Sequence, residues 1–125
     1  MEGPKVITST YDFIKWAIPH IAKFPRDQRY TLGERTENKL FRLLEFLIEA
    51  QYSKDKADAL KQANLEIEQM RYLFRLAFDL RLIDLKAYEL SAKYLAGIGA
   101  QVGDGLSSKP PDETVRLSIR PDCFF

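Results

Sequence analysis

Residues 53–81 read SKDKADALKQANLEIEQMRYLFRLAFDLR, and this segment decides the fold class. Its apolar residues recur every three or four positions, which is the periodicity of a helix and not the alternation of a strand. One apolar stripe consists of Leu60, Ala63, Ile67, Met70, Phe74 and Ala77, and further leucines lie on its flank at Leu65, Leu73, Leu76 and Leu80. The combined arc is about 200°, whereas a surface helix needs roughly 100° to face one core. The pattern predicts a helix that begins near Ser53 or Asp55, ends near Arg81, and has more apolar surface than one core requires.

A first helix is predicted over residues 10–23. Ser9 and Asp12 have the spacing of a capping box, in which a hydroxyl and an acid three residues later satisfy free amides of the first turn. Pro19 lies inside this segment and lacks a backbone donor, so we expect a bend there.

The same periodicity predicts a second helix over residues 26–52, after the break at Pro25, although a start as late as Thr31 is also consistent with its sequence. A fourth helix is predicted over residues 84–102, with Asp84 as its cap and the glycines at 103 and 105 as its end. Connections this short make consecutive helices antiparallel neighbours. The predicted fold is therefore all-α, an antiparallel up-down-up-down four-helix bundle.

The bundle is expected to occupy residues 10–103, between an N-terminal extension at residues 1–9 and a linker with a C-terminal tail at residues 104–125. In the tail, Val115, Leu117 and Ile119 alternate with polar residues. This alternation is compatible with a short strand that pairs with another surface, and equally with a mobile tail.

Composition indicates one globular domain. The chain has 125 residues, of which 46% are hydrophobic and 30% charged, and a formal net charge of +1. These values exclude collagen-like and wholly disordered chains. The single cysteine, Cys123, cannot form an internal disulfide, and the sequence shows neither a signal peptide nor an apolar run as long as a membrane span. We expect a cytoplasmic protein without a membrane partner.

The sequence offers no set of residues for catalysis. His20 is the sole histidine and has no cysteine or second histidine with which to complete a metal site. The glycines between residues 97 and 105 lack the spacing of a dinucleotide loop. We therefore expect no enzyme activity, catalytic residue, metal, cofactor or small-molecule substrate.

The excess apolar surface predicts a homo-oligomer. In addition to the flanking leucines, Phe46 projects onto the charged side of the second helix, where a monomer would leave its ring in water. The alternative is that the third helix is simply central and well covered. The predicted oligomer interface consists of Phe46, Leu65, Leu73, Leu76 and Leu80.

Charge is unevenly distributed along the chain. Residues 15–42 contain seven lysines or arginines against three acidic residues, whereas residues 45–68 contain six acidic residues against three lysines. One basic end could bind phosphates, and the candidate nucleic-acid contacts are Arg26, Arg29, Arg35, Lys39 and Arg42. Charge alone leaves open the alternative that these residues form a solvated face.

Two segments of the chain carry a family resemblance. They are FPRDQRYTLGER at residues 24–35 and LLEFLIEA at residues 43–50. With these segments the chain resembles the accessory variability determinant (Avd) proteins of diversity-generating retroelements. Those proteins are related to the four-helix-bundle proteins encoded in 23S rRNA intervening sequences. The resemblance covers about residues 10–103.

The resemblance implies a non-enzymatic homopentamer, a ring-like assembly of bundles that binds a reverse transcriptase. It also implies contact with template-repeat RNA or cDNA during mutagenic retrohoming. The alternative is a stand-alone oligomeric bundle of the rRNA-intervening-sequence type, with a structural or unknown role.

Overall fold

The computed structural model describes residues 5–107, which form four long helices. They are Lys5–Ala22, Glu34–Tyr52, Lys56–Asp79 and Leu85–Ser107, named here the first to fourth helix. A short α-helical turn, Arg26–Gln28, and a π-helical turn, Arg29–Gly33, lead without interruption into the second helix. No strand occurs among residues 5–107. The predicted four-helix bundle is confirmed, whereas the strand considered for residues 115–119 lies outside the described residues.

Each helix packs against two neighbours. The first and third helices both contact the second and the fourth, so the four helices surround one core. Ring contacts link three of them, because Phe13 of the first helix lies 5.6 Å from Phe74 and 5.0 Å from Tyr94 between ring centres. The stripe predicted for the third helix faces this core, with Ala63, Ile67 and Met70 fully buried.

The first helix begins at Lys5 and not at the predicted Thr10. Thr10 is fully buried, and its hydroxyl donates to the carbonyl of Val6 at 2.8 Å, inside the helix. Val6 and Ile7 pack against the core, so their burial extends the helix backwards past the expected cap. The helix then continues through Pro19.

The fourth helix runs past Gly103 and Gly105 to Ser107, whereas the sequence predicted its end at Val102. Val102 is buried and Leu106 packs against the core, so both side chains favour continuation. A Cβ atom on Gly105 would lie 2.9 Å from Cδ1 of Leu60, in the third helix. Gly105 therefore serves close helix packing there and does not end the helix.

The connection between the third and fourth helices is fixed by hydrogen bonds. Arg81 has a φ of 64°, the left-handed conformation that usually favours glycine at this position. The amide of Leu82 donates to the carbonyl of Ala77 at 2.8 Å, which closes a Schellman motif. Asp84 then caps the fourth helix as predicted, since its Oδ1 accepts from the amide of Ala87 at 2.8 Å.

None of the helices formed by residues 5–107 is both long and apolar enough to cross a bilayer.

Candidate functional site

The π-helical turn at residues 29–33 packs tightly against the first helix. Gly33 is buried, and a Cβ atom there would lie 2.9 Å from Cγ2 of Ile21 and 3.4 Å from the ring of Phe24. Leu32 is also buried, whereas Tyr30 and Thr31 are exposed. The turn therefore has an anchored inner side and a solvent-facing outer side. Sequence periodicity did not predict this turn, although a glycine such as Gly33 is unfavourable inside an α-helix.

Two of the five candidate nucleic-acid contacts lie in this turn or directly before it. Arg26 and Arg29 are both exposed. The Arg29 guanidinium donates to the carbonyl of Ala22 at 3.3 Å, which ties it to the end of the first helix. Its central carbon also lies 5.8 Å from the ring centre of Tyr30. The π-helical turn thus presents the Arg29 guanidinium and an aromatic ring together, and Arg26 lies in the α-helical turn immediately before it.

Lys39 and Arg42 converge on a buried acid of the third helix. Glu66 Oε1 lies 3.4 Å from Lys39 Nζ, and Glu66 Oε2 lies 3.3 Å from Arg42 Nε. The Glu66 side chain is only 5% exposed, against 27% for Lys39 and 55% for Arg42. Lys39 also donates to Gln69 Oε1 at 2.6 Å. These two cations therefore hold the second and third helices together and are partly neutralised.

Arg35 lies one turn before Lys39 on the same face of the second helix and is exposed. The predicted basic set thus consists of three exposed arginines, Arg26, Arg29 and Arg35, and of two cations, Lys39 and Arg42, that pair with Glu66. The sequence reasoning missed Glu66 as a partner of this set. A signal was present, since Glu66 stands three residues after Ala63 and four before Met70, on the side of the buried stripe.

The predicted oligomer contacts differ in how much of each side chain is exposed. Leu65, Leu76 and Leu80 are each about half exposed, as is Tyr72, which lies on the same face of the third helix. Leu73 is partly buried and packs against the core. Residues 65–80 therefore leave an apolar stripe in solvent along about four turns of helix, and we call this set of four exposed side chains the outer stripe.

Phe46 is less exposed than the sequence suggested. It is partly buried against the core, and the Arg42 guanidinium lies 5.3 Å from its ring centre. The expectation that the ring would stand in water is therefore wrong, because core packing and Arg42 cover much of it. Its part in an interface stays a prediction.

His20 is part of an aromatic pair. Its Nδ1 lies 2.9 Å from the carbonyl oxygen of Trp16, and the two ring centres are 4.3 Å apart. Residues 5–107 contain no group of three or more His, Cys, Asp or Glu side chains that could hold a metal ion.

Near the connection between the third and fourth helices, the charge of Asp79 raises the pKa of Arg75 above its ordinary value, and a hydrogen bond with Tyr88 acts in the same direction. Arg75 Nε lies 3.4 Å from Asp79 Oδ1, one helical turn away. This ion pair joins two side chains one turn apart on the third helix.

Comparison with known proteins gives one match. A family model described as bAvd-like matches residues 6–108, a range that includes nearly all of the four helices and the π-helical turn. No curated protein and no solved structure matches the chain. The chain belongs to the bAvd-like family and is, at the level of that family, an accessory protein of the Avd type.

Proposed function

We propose that this protein is a non-catalytic accessory subunit of a diversity-generating retroelement that acts in the cytoplasm. It binds the element's reverse transcriptase and the template-repeat RNA or its cDNA, as a homopentamer, and so supports mutagenic retrohoming. The observation that carries this proposal is the bAvd-like match across the bundle. The reverse transcriptase, the RNA and the number five come from the family resemblance.

The exposed arginines support the nucleic-acid partner. Arg26, Arg29 and Arg35 are exposed, so phosphates can reach them without breaking the ion pairs that join the second and third helices. Lys39 and Arg42 share one buried carboxylate, and their net contribution to phosphate binding is accordingly smaller. Binding through so few cations is weak for one subunit, but repetition of the site in an oligomer increases the total affinity.

The outer stripe supports self-association and a protein partner. The four large apolar side chains of the outer stripe follow one another at spacings of seven, four and four residues, on one face of the third helix and its C-terminal cap. Contiguous apolar surface of this kind marks contacts with other proteins. In the proposed oligomer, the outer stripe faces a neighbouring subunit or the reverse transcriptase.

A charge reversal tests the nucleic-acid role. The double variant Arg26→Glu with Arg29→Glu should weaken binding of structured RNA. It should also lower the slope of log affinity against log salt by about 1 to 2, since each lost phosphate contact removes about 0.7 to 0.9. Lys54→Glu with Lys56→Glu is the matched control, because both lysines are exposed and the net charge changes equally.

The comparison of the two double variants can either support or refute binding of RNA by the basic end. We expect the control to retain most of the affinity and both variants to keep the parent's helicity and mass. Equal loss in the two variants would mean that total charge, and not the basic end, governs binding. An absence of RNA binding by the parent at low salt, even with the reverse transcriptase present, would remove RNA from the proposal. A protein adaptor for the polymerase would then remain.

A further inference from the structure

Tyr30 is an unusual residue at the basic end of the bundle. Its side chain is 63% exposed, although large aromatic side chains are usually mostly buried. It stands on the outer side of the π-helical turn, whose inner side is anchored by Leu32 and Gly33. The ring is therefore presented to solvent from a turn whose other side is buried against the bundle.

The surroundings of Tyr30 favour an anionic, aromatic partner. Arg29 approaches the ring, and Arg26 lies one turn earlier on the same side. Because Arg29 also donates to the Ala22 carbonyl, its guanidinium is held near the ring. An exposed aromatic ring beside cations is the combination by which proteins bind single-stranded nucleic acid, where bases stack on the ring and phosphates meet the cations.

Duplexes and proteins fit this place less well. Bases inside a duplex are already stacked and cannot cover the face of a tyrosine, so a duplex would use only the arginines. A protein partner is better served by the outer stripe, which is apolar and carries no arginine among its four members. The observations thus favour unpaired nucleotides at this turn.

We infer that Tyr30, with Arg26 and Arg29, forms a stacking site for unpaired nucleotides, so that the protein distinguishes single-stranded segments from duplex. This inference rests on the proposed function and specifies the form of nucleic acid that its basic end binds. The tyrosine ring stacks on a base, and the two guanidinium groups bind the adjacent phosphates.

The test compares two RNA probes and three variants. The probes are a fluorescein-labelled RNA of about 12 nucleotides, made of A and C so that it cannot pair with itself, and a hairpin duplex of equal length. The variants are Tyr30→Ala, Tyr30→Phe and Tyr52→Ala. Tyr52 is a matched control because it is 82% exposed at the opposite end of the second helix.

We expect Tyr30→Ala to weaken binding of the unpaired RNA by about 5- to 160-fold, the range found when a stacking aromatic is removed. Binding of the hairpin should change by less than about twofold, since the arginines remain. Tyr30→Phe keeps a ring and should bind like the parent, as should Tyr52→Ala. Fluorescence anisotropy measures the affinity of the parent and of each variant for both probes, and light scattering measures the mass of each protein.

Three outcomes would overturn the inference. Tyr30→Ala could leave both affinities unchanged, it could lower them equally, or it could reduce the mass, which would identify the ring as a contact between subunits. Failure of the parent to bind either probe is a different result, because it would remove RNA from the proposed function itself. If the parent binds both probes and the variants do not separate them, only the stacking site is wrong.

Discussion

Removal of the Glu66 carboxylate should destabilise the bundle strongly. Glu66→Ala leaves Lys39 and Arg42 without the acid that both contact at about 3.3 to 3.4 Å. Loss of one partner from a buried ion pair costs about 3 to 5 kcal/mol. Here the cations are 27% and 55% exposed, so water compensates part of this loss. We therefore expect the free energy of unfolding to fall by about 2 to 3 kcal/mol.

For a chain of this length, about 1 kcal/mol corresponds to roughly 4 °C in Tm, so Glu66→Ala should lower Tm by about 8 to 12 °C. Glu68→Ala is the control. Glu68 pairs with Arg71 at 3.2 Å within one helix, and both side chains are about one third exposed. Such pairs contribute less than about 0.5 kcal/mol, so the control should lose under about 2 °C.

Circular dichroism during heating and urea titration measures both losses. The protein concentration must be fixed, since association makes Tm depend on concentration. Added salt should abolish the small effect of Glu68→Ala but preserve most of that of Glu66→Ala, because burial limits screening. Equal losses for the two variants would refute the reasoning and would show that Glu66 does not link the second and third helices.

Three further predictions, two of them with a control substitution, test the remaining structure. Gly33→Ala should lower the free energy of unfolding by about 1 to 2 kcal/mol, because a Cβ atom there would lie 2.9 Å from Cγ2 of Ile21. Gly97→Ala is the control and should raise it by about 0.5 to 1 kcal/mol, because a Cβ atom at position 97 would have no atom within 4 Å. Urea unfolding measures both changes. Arg81→Gly should raise stability by about 1 kcal/mol, since it relieves a φ of 64°, and an unchanged Tm would contradict this. Leu76→Glu should reduce the particle mass measured by light scattering at micromolar concentration, whereas the control Glu68→Lys should not. A parent protein with a mass of only 14.5 kDa would refute self-association.

The sequence predicted those parts of the fold that follow from local pattern. The stripe of the third helix and the cap at Asp84 are both confirmed, because each depends on residues within one or two turns. The ends of the first and fourth helices were wrong. There, burial of Val6 and Leu106 by other helices outweighs the local signals of a capping box and of glycine.

The candidate site was less predictable for the same reason. Charge clustering identified the basic residues, but the pairing of Lys39 and Arg42 with Glu66 depends on how two helices align, which no single helix encodes. One of the two segments that carry the family resemblance, residues 24–35, contains the π-helical turn with its exposed tyrosine. Periodicity at 3.6 residues per turn cannot show such a turn, because the turn departs from that period.

The π-helical turn also sets the direction in which the basic end faces. A π turn closes its hydrogen bond over one more residue than an α turn does. One additional residue corresponds to a rotation of about 100° around the helix axis. Arg26 therefore points about a quarter of a revolution away from where an uninterrupted α-helix would place it relative to Arg35. The π-helical turn thus absorbs one residue of the chain, and deletion of one residue from it would leave an α-helix in which Arg26 keeps nearly its present direction relative to Arg35.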